Sequence, residues 1–267
     1  MKKWIKIGFW GIFVIAVFIG MSLSNSAQID ETTVKPKIFI HVDGENAFLD
    51  EDEVYTRLIR KGLVYQYQKI EKLPVKKIED FLESMSEIRE CKVYTNIGGT
   101  WNIDIHLRKP IARIFNNSGE TFYLDDLGFT MATSPLYTAR VVVVTGNIPD
   151  RAHSKSVNKI INNDTLKTNK YLDDIYRISN YICDDPFLIA QIGQIHLDKN
   201  GDFVLIPQVC GQKIIFGSAN SDEEVAKKFK KLIVFYKEGL PFEGWNKYDL
   251  INLKFEKQIV CNKIEEK

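Results

Sequence analysis

The sequence predicts an α+β protein with a single N-terminal transmembrane helix, a small β-α-α-β-β domain and a larger, mainly antiparallel β-domain with flanking helices. Three observations lead to this prediction. An uncharged run of 23 residues, 7–29, follows Lys2, Lys3 and Lys6. Apolar and polar side chains alternate in many later segments, which is typical of half-buried strands. Near Arg108 the pattern changes from mixed helices and strands to short strands separated by turns.

The uncharged run is long enough to cross a bilayer, since 23 residues at about 1.5 Å each give roughly 35 Å of helix against a hydrocarbon core of about 30 Å. Three lysines precede it and Asp30 follows it. The positive-inside rule therefore predicts a cytoplasmic tail over 1–6, a transmembrane helix over 7–29 and an extracytoplasmic remainder. A cleaved signal peptide is the alternative, with Ser24 and Ser26 as its small-residue cleavage site. The length of the run favours a retained anchor.

The composition bounds the function. Without the three tail lysines, 33 basic residues stand against 35 acidic ones, a net charge of −2, which gives no electrostatic footprint for nucleic acid. The four cysteines lie far apart without a C-x-x-C pair, so neither a zinc ribbon nor a thioredoxin-type site is indicated. Buried free thiols are favoured, and a disulfide outside the cytoplasm is the alternative. The four are Cys91, Cys183, Cys210 and Cys261.

A polar linker over 30–37 leads to a first domain over 38–108. Local periodicity and capping residues define its elements. In order, they are a strand over 38–42, a helix capped by Asp50 with Val54, Leu58 and Ile59 on one face, a second helix that begins at Pro74, and two strands over 88–94 and 101–107.

A second domain follows over 109–262, and 263–267 form a C-terminal tail. Short strands and turns dominate this domain, with two longer helices. In order, the elements are strands over 112–115, 121–124 and 141–144, a helix over 169–182, a hairpin of 191–197 and 202–207, a strand over 213–216, a helix with the capping box Ser221 and Glu224 that ends at Gly239, and a last strand over 250–261.

No catalytic or metal-binding pattern stands out. The sequence has no nucleophile elbow, phosphate-binding loop, zinc-peptidase helix or dinucleotide turn. Asp125 and Asp126 are interpreted as turn residues, and Asp173 and Asp174 as helix neighbours whose side chains point apart. The histidines have no second His or Cys at ligand spacing and are interpreted as surface or structural residues, namely His41, His106, His153 and His196. The sequence thus predicts no enzyme, no cofactor and no metal site.

Several short motifs, in order along the chain, resemble those of the bacterial cell-division family FtsQ/DivIB, which contains a POTRA domain. The most specific is His-Leu-Arg-Lys-Pro-Ile-Ala-Arg-Ile over 106–114, close to the junction that follows the POTRA domain in this family. Weaker matches lie at 42–46, 88–93, 123–129, 144–146, 209–217 and 251–255. The last match departs from the family pattern at Asn252, Lys254 and Phe255. The motif positions that match are Gly44, Arg108, Pro110, Ala112, Asp125, Gly128 and Gly146.

The resemblance implies a POTRA domain over 38–108 and an FtsQ-type β-domain over 109–262. It implies a non-enzymatic, single-pass scaffold of the divisome, located in the cytoplasmic membrane at the division septum. The implied partners are FtsB- and FtsL-like proteins, with FtsW- and FtsI-like synthases and FtsK-like proteins as further contacts. Neither nucleic acid nor a small-molecule substrate is implied.

We expect the partner to bind at the end of the β-domain, because an exposed strand edge accepts a strand from another chain. Aromatic side chains there are candidate anchors and the last strand is the candidate edge. The candidates are Trp245, Tyr248, Phe255, Lys257, Gln258, Ile259, Val260 and Cys261. Two alternatives stay open: a POTRA-containing assembly or secretion partner, and a membrane-anchored periplasmic enzyme.

Overall fold

The computed structural model describes residues 34–42, 48–96, 99–151, 171–209 and 211–264, together with five helical positions between 13 and 19. Apart from those five positions, the predicted transmembrane helix lies outside the described residues. Among the residues that are described, no helix has both the length and the apolar character that a membrane crossing needs. The described chain divides into two units, the first ending at Leu107 and the second containing Phe48 and everything from Arg108 onwards.

The first unit is a three-stranded sheet with two helices. Its strand order is β1-β3-β2, in which β3 is parallel to β1 and antiparallel to β2. The predicted β-α-α-β-β order is confirmed. The elements are β1 (Lys37–His41), α1 (Glu51–Arg60), a 3₁₀ turn (Ile70–Lys72), α2 (Val75–Glu83), β2 (Ile88–Thr95) and β3 (Trp101–Leu107).

Helix α1 begins where the sequence predicts, because the Asp50 carboxylate accepts a hydrogen bond from the Glu53 N–H at 2.7 Å. Val54 and Leu58 are fully buried. The prediction for Ile59 is wrong, since its side chain is 48% exposed. Each helical residue turns the side chain by about 100°, which carries Ile59 away from the stripe that Val54 and Leu58 define.

Strand β3 has the predicted inner and outer faces. Trp101, Ile103 and Ile105 are buried in the core of the first unit, whereas Asp104 and His106 lie on the opposite face. The buried Trp101 indole satisfies its N–H by donating to the Val34 carbonyl at 2.8 Å. The outer face of this small sheet is therefore solvent-accessible, and it carries Asp104 and His106 together with the exposed Phe39.

The second unit contains a nine-stranded mixed sheet in the order β12-β11-β10-β9-β8-β7-β4-β5-β6. Pairings β4–β7, β7–β8 and β10–β11 are parallel, and the other five are antiparallel. The strands are β4 (Pro110–Phe115), β5 (Thr121–Asp125), β6 (Thr130–Ala132), β7 (Val142–Gly146), β8 (Ile192–Leu197), β9 (Phe203–Pro207), β10 (Lys213–Gly217), β11 (Tyr248–Asn252) and β12 (Val260–Lys263).

Helices cover one face of this sheet. They are α3 (Leu172–Cys183), α4 (Pro186–Gln191), α5 (Asp222–Val234), a π-helical segment (Phe235–Gly239) and α6 (Leu240–Glu243). Buried side chains of α3 and α5 share one core with the strands. At the centre of this contact, the Phe229 ring lies 4.9 Å from the rings of both Tyr181 and Phe216.

Ser221 caps α5 as predicted, with its hydroxyl accepting from the Glu224 N–H at 3.2 Å. The prediction that the helix closes at Gly239 is wrong. Gly239 keeps a helical φ of −83°, and the chain remains helical to Glu243. Pro241 has no N–H to donate, and a wider turn, closed by the Leu240 N–H on the Phe235 carbonyl, precedes it.

The predicted last strand over 250–261 is wrong as one element, because it is a hairpin of β11 and β12 joined by residues 253–259. The Asn252 side chain accepts from the Lys254 N–H at 3.0 Å, a local turn that ends β11. Phe255 consequently lies in the connection, 46% exposed. It does not lie in one strand with Ile251, as the predicted strand over 250–261 required.

The candidate partner-binding edge

In the part of the chain that the structure describes, β12 is the outermost strand of the nine-stranded sheet. It runs antiparallel to β11, with Val260 opposite Asn252 and Cys261 opposite Ile251. The candidate residues Val260 and Cys261 thus belong to an edge strand. Edge strands carry main-chain groups that another strand can pair with.

Two hydrogen bonds fix the direction in which the backbones of β11 and β12 face. The Ile264 N–H donates to the Lys247 carbonyl at 3.0 Å, so even-numbered residues at this end of β12 face β11. On the other side of β11, the Leu253 N–H donates to the Ile215 carbonyl at 2.9 Å, so odd-numbered residues of β11 face β10. A register shift between Tyr248 and Leu250 separates the two bonds, so the odd-numbered Lys247 faces β12 before the shift, whereas even-numbered residues of β11 face β12 after it.

It follows that Val260 and Asn262 direct their N–H and C=O groups to β11. Cys261 and Lys263 direct theirs to the opposite side, where the sheet ends. The edge therefore presents two donors and two acceptors at the spacing that an incoming strand requires.

A shallow apolar groove of about 490 Å³ lies beside this edge. Its floor comes from the end of α5 and the π-helical segment, and its other wall from the connection between β11 and β12. Val234 is 52% exposed there, a high value for an aliphatic side chain. The lining residues are Lys230, Lys231, Val234, Phe235, Glu238, Gly239, Lys257, Gln258 and Ile259.

The eight candidate partner-binding residues lie in four places: before β11, in β11, in the connection between β11 and β12, and in β12. Lys257, Gln258 and Ile259 line the groove, next to Val260 and Cys261 in β12. Tyr248 lies in β11, with its ring 6.2 Å from that of Phe235, a groove residue. Trp245 precedes β11, is 41% exposed and has its ring 5.9 Å from Tyr236, and Phe255 lies in the connection.

Sequence reasoning missed the helical wall of the groove. Val234 and Phe235 lie off the buried α5 stripe of Val225, Phe229 and Leu232. Apolar residues outside the buried stripe of a helix could have indicated this surface from the sequence. Phe242 was missed as well, and its side chain is 90% exposed. The exposed Val234, together with the other apolar residues that line the groove, marks a candidate interaction surface.

The motif positions near the start of the second unit build a buried turn. Arg108 binds the Asp125 carboxylate at 2.9 Å, and its guanidinium lies 4.3 Å from the Phe129 ring centre. The same carboxylate accepts from the N–H groups of Leu127 and Phe129. Burial raises the pKa of Asp125, while the hydrogen bond from Phe129 and the Arg108 charge act in the opposite direction.

The other motif positions also pack tightly. Pro110 begins β4 opposite Asp125, Ala112 is fully buried, and Gly128 turns with a φ of +80°. Gly146 has a φ of +112°, and a Cβ there would lie 2.1 Å from the Leu197 carbonyl oxygen. Gly44 lies outside the described residues. These contacts give the described motif residues a structural role in the fold.

Two histidines that the sequence left isolated come together in the first unit. The parallel register of β1 and β3 sets His41 beside His106, with stacked rings 4.5 Å apart. The His41 Nε2 atom lies 2.7 Å from Oδ1 of Asp104. His196 lies in β8 and contacts the Thr145 hydroxyl at 3.1 Å. His153 lies outside the described residues.

The described cysteines are free thiols. Cys91 is buried, and burial raises its pKa to about 12. Cys183 and Cys261 are half-buried, and burial raises the pKa of both. Such thiols are poor nucleophiles at neutral pH. Cys210 lies outside the described residues.

Comparison with known protein families gives two matches. The model described as FtsQ/DivIB, C-terminal related, matches residues 109–262, more than half of the chain. The model of a POTRA-like domain matches residues 34–106. A search of curated proteins gives no match. The first match covers the nine-stranded sheet and the second covers the β-α-α-β-β unit, so the chain belongs to the FtsQ/DivIB family and carries a POTRA-like domain.

Proposed function

We propose that this protein is a single-pass membrane scaffold of the divisome that binds FtsB- and FtsL-like partners by strand addition at β12. Family membership supports a role in cell division. The observation that carries the proposed binding mode is the outward direction of the Cys261 and Lys263 backbone groups beside an apolar groove. In this proposal, the protein is located at the septum with its N-terminus in the cytoplasm.

In strand addition, the backbone and the side chains contribute to binding in different ways. Each main-chain hydrogen bond contributes a net stabilisation of about 0.5–1.5 kcal/mol, and the side chains that enter the groove supply apolar burial and specificity. The groove rim carries Lys230, Lys257 and Glu238, an excess of positive charge. We therefore expect the bound segment to combine apolar and acidic residues.

The scaffold role assigns no catalysis to this chain. Its contribution is to hold partners together, linking early division proteins to synthases of the FtsW and FtsI type, with FtsK-like proteins as further contacts. Cells depleted of the protein should form filaments, because septal synthesis would lack its recruiting platform. Normal division in depleted cells would contradict the proposal.

The binding mode is tested by proline at an outward position. Cys261→Pro removes one outward N–H while leaving the ladder between β11 and β12 intact. Val260→Pro is a poor choice because the Val260 N–H faces β11. The matched control is Thr130→Pro in β6, at the other end of the sheet. The Asp125 N–H donates to the Phe129 carbonyl, so the Thr130 N–H also points outward.

The measurement is co-purification of tagged protein from native membranes, followed by protein identification. Cys261→Pro should lose the FtsB- and FtsL-type proteins and Thr130→Pro should retain them, with melting temperatures within a few degrees of the unaltered chain. Retention of both partners by a folded Cys261→Pro protein would contradict strand addition at β12.

A further inference from the structure

We propose that the solvent-facing side of the POTRA-like sheet holds a transition-metal site, in which His41, Asp104 and His106 bind one divalent ion such as Zn²⁺. The proposal concerns the first unit alone and does not depend on partner binding at β12. It rests on three side chains that the fold places together: Asp104 and His106 are two positions apart in the sequence, and His41 lies 63 positions before Asp104.

Strand pairing explains why these residues meet. In the parallel register of β1 and β3, His41 lies opposite His106, and Phe39 lies opposite Asp104. Asp104 and His106 are two residues apart in β3, so both point to the same face. That face is the outer one, because Ile103 and Ile105 fill the core.

The distances suit one ion. One ligand atom from each side chain can be chosen so that all three lie within 4.8 Å of one another. Ligands at about 2.0–2.1 Å from a tetrahedral Zn²⁺ ion lie roughly 3.3 Å from each other. The 2.7 Å from His41 Nε2 to Asp104 Oδ1 would need to lengthen by about 0.6 Å, and a separation at the 4.8 Å limit would need to shorten by about 1.5 Å.

The Asp104 carboxylate has an oxygen atom that is available to bind a cation. Its Oδ1 atom is shielded from solvent and accepts no well-formed hydrogen bond, although His41 Nε2 lies near it. Buried carboxylate oxygens normally accept hydrogen bonds or bind cations. A metal ion between Oδ1 and the two imidazoles would satisfy this atom.

The donor set selects the metal class. Two imidazole nitrogens and one carboxylate oxygen suit Zn²⁺ and other divalent transition ions, whereas Ca²⁺ and Mg²⁺ prefer oxygen ligands throughout. Three protein ligands leave a further position directed to solvent. His41 and His106 are exposed, so an ion has direct access to the site.

The neighbouring charges do not oppose binding. On β2, Glu90 lies opposite His106 and Lys92 lies opposite Asp104, so both share this face. Lys92 and Glu90 form an ion pair at 2.9 Å. Lys37 of β1 lies opposite Asn102 on the same face, so Lys37 and Lys92 offset Glu90 and Asp104, and the face carries no net positive charge that would repel a cation.

The test is Co²⁺ titration of the full chain, purified in detergent without a polyhistidine tag and followed by visible absorption. Co²⁺ occupies zinc sites and reports its coordination by d–d bands. We expect one equivalent to bind, Zn²⁺ to displace it, and excess Mg²⁺ to leave it in place. His41→Ala, Asp104→Asn and His106→Ala should each weaken binding at least ~10-fold.

His196→Gln is the matched control, since it removes a histidine from the second unit, and it should bind Co²⁺ like the unaltered chain. The three ligand positions are at least partly exposed, so circular dichroism should show each variant folded. Binding weaker than about 1 mM would overturn the proposal. Equal binding by all three variants would also overturn it, because the ion would then lie elsewhere.

Discussion

Gly146 shows how a single residue is fixed by its surroundings. A side chain at this position would meet the Leu197 backbone at 2.1 Å, and the φ of +112° is itself unfavourable for any other residue. We expect Gly146→Ala to lower the free energy of unfolding by about 2–4 kcal/mol. Urea denaturation measures the change.

Gly119 is the control for Gly146. Its φ is +76°, but a Cβ at this position would have no atom from elsewhere in the described chain within 4 Å. Gly119→Ala should therefore lower the free energy of unfolding only by the strain of a positive φ, about 1 kcal/mol. Equal losses for the two variants would show that the close approach to Leu197 has no energetic consequence.

Asp174 gives the fold a dependence on pH. Burial is the main cause that raises its pKa to about 6, with Asp173 and Glu224 adding to the shift and Arg177 opposing it. The folded chain therefore keeps this proton at pH values where the unfolded chain has released it. The resulting stabilisation is present below pH 3.8, the ordinary pKa, and is lost as the pH rises towards 6.

Asp174→Asn should remove this dependence and raise the free energy of unfolding at pH 8 by about 1 kcal/mol, with no gain at pH 4. Asp222→Asn is the control, because Asp222 also lies near Arg177 but its side chain is 91% exposed. Unfolding curves between pH 4 and 8 measure both variants. An unchanged slope in Asp174→Asn would contradict the assignment to this carboxyl group.

At the scale of single elements, periodicity and caps in the sequence predicted most helices and strands. Asp50 and Ser221 begin helices as expected, because capping is a local interaction between neighbours in the chain, and Pro74 precedes a helix as expected without a side-chain cap. The ends were harder to predict. Gly239 continues a helix, because π-helical hydrogen bonding before Pro241 is invisible to a pattern of apolar positions.

The hairpin of β11 and β12 was missed for a related reason. Apolar and polar residues alternate from Ile251 to Glu256, which favours one continuous strand, and the Asn252 side-chain bond that turns the chain is a weak signal in a sequence. The misplaced Phe255 follows from this error. The candidate edge residues Val260 and Cys261 nevertheless lie in β12, where the sheet ends.

The groove beside β12 gives a prediction for the helical element. Val234→Glu places a charge in the apolar groove, and we expect affinity for the FtsB-like partner to fall at least ~10-fold because the charge must be desolvated on binding. Ile189→Glu is the control, since Ile189 is similarly exposed, at 48% against 52%, but lies in α4. Similar losses in both variants would indicate a general effect of charge.

At the scale of the whole molecule, the family and the order of the elements along the chain could be predicted from the sequence, but the order of the strands in the sheet could not. Strand order depends on which segments meet in space, and alternation does not encode that. Strand β7 lies between β4 and β8 and is parallel to both. No local sequence pattern predicts these two pairings. The contact of His41 with His106 was unpredictable for the same reason.

The predicted topology is tested on the intact protein. A reporter that is active only outside the cytoplasm should function when fused after Lys267, because three lysines precede the uncharged run over 7–29. The fusion should remain in the membrane fraction at full length. Release of a shortened, soluble product would instead establish a cleaved signal peptide.

The central claim is that a partner adds a strand to β12. Residue-resolved amide hydrogen exchange, with and without the FtsB-like partner, tests this most directly because it reports each backbone N–H separately. We predict that the amides of Cys261 and Lys263 become protected in the complex, while those of Val260 and Asn262, which already bond to β11, change little. Unchanged exchange at Cys261 and Lys263 in a saturated complex would contradict the account.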